Sequence, residues 1–218
     1  FLAGAGPVLA QSKAARVGAE PGQFDFYVLA LSWSPAYCAD GGSKRSPEQC
    51  STDKPRGFVV HGLWPQSEKG YPLSCSTNQP EFPKSNFEKA ASIFPDLKLA
   101  TTEWRRHGTC SGLDPEPYLD AIAKARDQIK IPPLFDQPMS QSDTTSPISP
   151  PLSPRAIESA FSESNPSLRG SMMSVSCRKK ILREVRICFT KELNAFRSCP
   201  EVDRAGCRSE EVTLIPAR

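Results

Sequence analysis

Between residues 23 and 33 the chain alternates aromatic and polar positions and then turns apolar, and residues 57–63 are β-branched and aromatic. Both patterns predict strands of one sheet. Residues 172–177 and 182–189 follow as an expected antiparallel pair, with 212–215 a short final strand. His61 falls at the end of the second of these strands. Gly62 lets the backbone bend or a ligand approach there, and Pro65 is expected to stop sheet pairing.

Capping signals mark the helices. Ser85-x-x-Glu88 reads as a capping box opening a helix toward Phe94, ended by Pro95. Asp114-Pro115-Glu116 opens a second helix with Tyr118, Leu119, Ile122, Ala123 and Ile129 as its apolar stripe, and Ser153-Pro154 opens a third through Phe161. Thr101 or Thr102 is placed to cap a short helix presenting Glu103 and His107 on one face. Strands gather at the two ends of the chain and helices in its middle. This order predicts an α+β fold: a central antiparallel sheet with several helices packed on it.

The length of 218 residues and 38% hydrophobic content fit one domain, expected over 22–218, and no apolar run is long enough to span a bilayer. Residues 136–154 are rich in Ser, Thr and Pro and read as a surface loop within that domain. Residues 1–10 are apolar and small, with Val8-x-Ala10 similar to a signal-peptidase site, and residues 1–21 read as a signal-peptide remnant or a disordered arm. Eight cysteines lack the paired short spacings of a zinc site and point to disulfides, hence to a periplasmic or secreted protein. A net charge of +3 does not by itself define a partner. Arg178, Lys179, Lys180, Arg183 and Arg186 form a basic stretch that reads as a solvated surface and is assigned to no site.

The chemistry is concentrated in two blocks that hold both histidines: residues 58–65, with His61 and Trp64, and residues 103–110, with Glu103, Arg106 and His107. A reaction that takes a proton at one point and gives one at another is simply run by two imidazoles. A carboxylate and a fixed cation stand beside the second.

At these residues, His61-Gly62-Leu63-Trp64-Pro65 and Glu103-Trp104-Arg105-Arg106-His107-Gly108-Thr109-Cys110, the sequence resembles the ribonuclease T2 family of endoribonucleases. The likeness extends to Leu31-Ser32-Trp33-Ser34-Pro35 with Tyr37 and Cys38 upstream, to Asn165-Pro166, and to the cysteine-rich end from Cys177 to Cys207. It implies cleavage of single-stranded RNA by the substrate's own 2′-hydroxyl, giving a 2′,3′-cyclic phosphate and then a 3′-phosphate. No metal or cofactor is required, and a monomer without membrane attachment is expected. By the resemblance His107 is the base, His61 the acid, Arg106 the cation at the family's Lys position, Glu103 the catalytic-segment carboxylate and Trp64 a surface for stacking a base. The implied disulfides are Cys38 with Cys50, Cys75 with Cys110, Cys177 with Cys207 and Cys188 with Cys199.

Thr102 departs from the pattern, since the family commonly has a third His there that helps hold phosphate. That departure supports an alternative: a catalytically impaired extracellular relative that binds RNA or a partner. A His/Cys metal site is the other alternative and needs Cys110 free. Trp33 and Trp104 read as core aromatics, Arg105 as a surface charge, and Tyr71 as a candidate wall of a base pocket.

Overall fold

A computed structural model describes residues 15–53, 56–75, 82–135 and 150–216. Its strands are β1 (Ala15–Val17), β2 (Phe26–Trp33), β3 (Phe58–Gln66), β4 (Tyr71–Leu73), β5 (Met173–Arg178) and β6 (Ile181–Thr190). Its α-helices are α1 (Ser34–Tyr37), α2 (Ser43–Arg45), α3 (Phe87–Ile93), α4 (Leu97–Arg106), α5 (Pro115–Asp127), α6 (Pro154–Ser164) and α7 (Pro200–Arg204). Four strands make an antiparallel sheet in the order β3-β2-β6-β5, and β1 pairs with β4 in parallel.

Both faces of the sheet are covered, which explains why central β2 is apolar almost throughout. Tyr27, Leu29, Leu31 and Trp33 enter the main core with Ala90, Trp104, Leu119, Ile122 and Phe161 of the helices. Phe26 and Val28 point the other way, against Cys188, Cys199 and Val202. Disulfides join Cys38 to Cys50, Cys75 to Cys110, Cys177 to Cys207 and Cys188 to Cys199.

Several expectations change on the structure. Pro65 stays within β3, opposite Tyr27, because β3 is an edge strand and a proline there can turn its missing N–H outward. His61 consequently lies inside a strand and not at its end. The segment expected outside the fold contributes β1, and the Gly22 N–H donates to the Cys110 carbonyl; residues 1–14 lie outside the described residues. Of the Ser/Thr/Pro-rich stretch, 136–149 also lies outside them, whereas Leu152 bridges Val212. That bridge and one between Ile181 and Thr213 replace the expected final strand. The capping box at Ser85 does not form, since residues 84–86 make a 3₁₀ turn before α3. Helix α4 begins five residues before Thr102, capped by the Asp96 side chain, which accepts from the Leu99 N–H.

Candidate active site

His61 owes its position to a β-bulge. Ala30 pairs with Gly62 but Leu31 pairs with Val60, so His61 is the extra residue on β3. In a regular strand, residues three apart face opposite ways. Across the bulge, Val60 and Leu63 both reach the main core while His61 and Trp64 both line a cleft on the other face.

The second block arrives from α4, which lies beside the β3 edge. Ala100 and Trp104 anchor it in the core, and Glu103 and His107, one turn apart, line the cleft. Two glycines permit this approach. A Cβ on Gly62 would lie 2.2 Å from Glu103 Oε2, and one on Gly108 would lie 2.3 Å from the Trp104 ring. The Tyr118 hydroxyl donates to the Leu63 carbonyl at 2.7 Å, holding β3 to α5. The Cys75–Cys110 bond and a hydrogen bond from the Ser74 N–H to the Arg106 carbonyl tie the end of α4 to the chain beyond β4.

The resulting cleft measures about 470 Å³ and contains His61, Trp64, Glu103, Arg106 and His107 together. Trp64 Nε1 donates to Glu103 Oε2 at 2.7 Å, and the other carboxylate oxygen lies 3.6 Å from His61 Nε2. The indole also packs against the His107 ring, with centroids 5.2 Å apart, so Trp64 joins both blocks. Thr102 is exposed and its hydroxyl donates to the Lys98 carbonyl; it is not part of the cleft wall. Arg105 is exposed, and Trp33 and Trp104 are buried in the core.

On β6, sequence reasoning passed over Glu184, which meets His61, and read Arg186 as part of a solvated basic stretch, whereas Arg186 lines the cleft. Glu184 Oε1 meets His61 Nδ1 at 2.6 Å and its Oε2 accepts from Arg186 Nε at 2.7 Å. The Arg186 guanidinium lies 5.2 Å from the centre of the Trp64 ring, near enough for a cation–π contact. The available signal was a carboxylate set among the apolar Leu182, Val185 and Ile187, which is costly in a sheet interior unless paired. Tyr71, Gln66 and, from α7, Glu201 and Val202 complete the walls.

The electrostatics separate the two imidazoles. Burial, with Arg106 and His61 adding like charge, lowers His107 to about 3, and its Nδ1 is buried without a hydrogen-bond partner. Burial also opposes charge on His61. There the hydrogen bond and charge of Glu184, with Glu103 behind it, outweigh burial and Arg186, and the proton is held more tightly than usual. Burial raises Glu103 despite His61, the Trp64 hydrogen bond and Arg106. Glu184 is the reverse case: burial favours its neutral form, but His61 and Arg186 prevail and lower it.

Among the described residues, no group of three or more His, Cys, Asp or Glu could hold a metal ion, and no helix is long and apolar enough to cross a membrane.

Residues 24–199 match the Ribonuclease T2 family. A ribonuclease of Aeromonas hydrophila is 39% identical over 121 residues, covering 56% of this chain and 54% of that protein. A Haemophilus influenzae relative is 28% identical over 180 residues, 77% of this chain and 58% of its own length. The chain thus spans somewhat more than half of each of these two. Ribonuclease DdI of Dictyostelium discoideum is 26% identical over 203 residues, 86% of this chain and 83% of that one. The crystal structure of RNase NT in complex with 5′-AMP shares the fold, with a TM-score of 0.67 at 22% identity over 89% of this chain and 99% of that one.

Proposed function

From the chain's membership of the ribonuclease T2 family, we propose that it is an endoribonuclease that cleaves single-stranded RNA by transphosphorylation. The observation that carries this reading is the pair of imidazoles in one cleft with opposite proton affinities. His107, kept neutral, takes the proton of the ribose 2′-hydroxyl. The freed oxygen attacks the adjacent phosphorus. His61, kept protonated, gives its proton to the departing 5′ oxygen, and a 2′,3′-cyclic phosphate is left. Water then reacts in the reverse sense, with His61 as base, to leave a 3′-phosphate.

Negative charge grows on the non-bridging oxygens during attack, so a cation aimed there stabilises the transition state more than the ground state. Arg106 supplies it. Glu103 sits between Trp64 and His61, where its carboxyl, whose proton affinity burial raises, donates to the phosphate when protonated or balances the imidazolium when ionised. Trp64, with its Nε1 engaged, offers its ring for an unstacked base, a contact available in single-stranded RNA and not in a duplex. Because the nucleophile belongs to the substrate, no step needs a metal. Four disulfides suit folding in an oxidising compartment, so a periplasmic or secreted location follows.

The test is digestion of a defined single-stranded RNA in EDTA, with mass analysis of the ends. The oligonucleotide carries one 2′-O-methyl residue. Cyclic-phosphate ends are expected first at every cut, giving way to 3′-phosphate ends, with protection on the 3′ side of the methylated residue. Cleavage at that linkage would refute the mechanism, and RNA bound but left intact would identify an impaired relative.

A further inference from the structure

We propose that Glu184 is a positioning residue for His61, fixing which imidazole nitrogen carries the transferred proton; this rests on the ribonuclease reading of the cleft. The side chain is 8% exposed and both of its oxygens are engaged, Oε1 by His61 Nδ1 at 2.6 Å and Oε2 by Arg186 Nε at 2.7 Å. An ionised carboxylate only accepts hydrogen bonds, so Nδ1 must bear a hydrogen whether the ring is neutral or charged. The exchangeable site is then Nε2, which lies 3.6 Å from Glu103 Oε1.

The backbone builds this arrangement with a second bulge. Cys177 pairs with Leu182 and Ser176 with Glu184, leaving Arg183 as the extra residue on β6. Arg183 turns away to the Ala36 carbonyl and Asp40. Leu182 and Val185 both remain in the core, and Glu184 and Arg186 both reach the His61 side. Two strands that are not neighbours in the sheet thus use the same local device to bring a histidine and its carboxylate together.

In the proposed reaction the His61 imidazolium loses its Nε2 proton to the 5′ oxygen and becomes the Nδ1–H neutral ring; attack by water returns the proton to Nε2. Glu184 and Arg186 neither gain nor lose a proton. The other titratable or charged groups that share the cleft with His61 include Glu103 and Arg106 of α4, His107 at the end of that helix and Glu201 of α7.

The experiment is nitrogen NMR of both histidines across pH, on the wild-type chain and on Glu184→Gln, with kcat/KM measured in parallel on a short RNA. Gln keeps an acceptor oxygen and removes the charge. Wild-type His61, once neutral, should be the Nδ1–H tautomer. In Glu184→Gln its titration midpoint should move to lower pH, and the ratio of kcat/KM at pH 8 to that at pH 5 should fall about tenfold relative to wild type. A general structural loss would lower both rates and leave the ratio alone. An Nε2–H tautomer in the wild-type protein, or an unchanged His61 titration in the variant, overturns the proposal. If the variant does not fold, the wild-type tautomer decides alone. Wild-type protein that yields no cyclic phosphate refutes the ribonuclease reading instead, a result separate from the tautomer.

Discussion

Burial and Arg106 leave His107 ready to accept a proton over nearly the whole working range, and Glu184 with Glu103 keeps His61 charged against its own burial. The expected pH profile of kcat/KM therefore rises near pH 3, stays high toward neutrality, and falls above pH 6.5 as His61 loses its proton. A rising limb near pH 6.5 would mean that His107 titrates as an ordinary histidine and that the burial argument is wrong. Replacing either histidine by Ala should lower kcat by about a hundredfold to ten-thousandfold, checked by single-turnover cleavage with the fold monitored by circular dichroism. Gly62 tests the packing between the two blocks. Its missing Cβ leaves room for Glu103, so Gly62→Ala should displace that carboxylate, cost about 1–3 kcal/mol in urea unfolding and lower kcat. Unchanged activity and stability would show that Glu103 has free space elsewhere.

Helix starts show where local sequence informs and where it misleads. Asp96 caps α4 through its side chain, whereas Asp114, the stronger signal in the sequence, begins α5 without a side-chain capping bond. Asp96→Ala should then cost about 1 kcal/mol and Asp114→Ala a few tenths, measured by thermal or urea unfolding. Equal losses would mean that the Asp96 bond contributes nothing. Thr102 was a plausible cap in the sequence because Thr favours that position; in the helix it bonds back to Lys98, one turn earlier. The strands were more legible. Their hydrophobic runs located β2, β3, β5 and β6 to within a few residues, because side chains of these strands are buried in the cores on the two faces of the sheet. The bulges were not legible, since an extra residue leaves composition unchanged and alters only which face each side chain takes.

At the scale of the molecule, the cleft exists only because distant segments meet. The residues of the two motif blocks were readable because each is contiguous, but Glu184 is 123 positions from His61 and no local pattern connects them. Burial of a neutral His107 also affects global stability. Its folded value lies below the free value of 6.5, so the unfolded chain binds the proton first and stability falls as pH drops from 6.5 toward about 3. His61 has the opposite sign: its contribution is full below 6.5 and is lost as pH rises through its raised value. By pH 5 His107 should cost about 2 kcal/mol relative to pH 8, and His107→Gln should remove that difference in urea unfolding. An identical pH dependence in both proteins would contradict it. The bulge at His61 also acts as a frameshift in three dimensions. Upstream of it the even-numbered residues of β3 point to the core; downstream the odd-numbered ones do. Removal of one residue between Val60 and Leu63 would thus exchange the inside and outside of everything on one side of the deletion, a change that no single side-chain substitution could compensate.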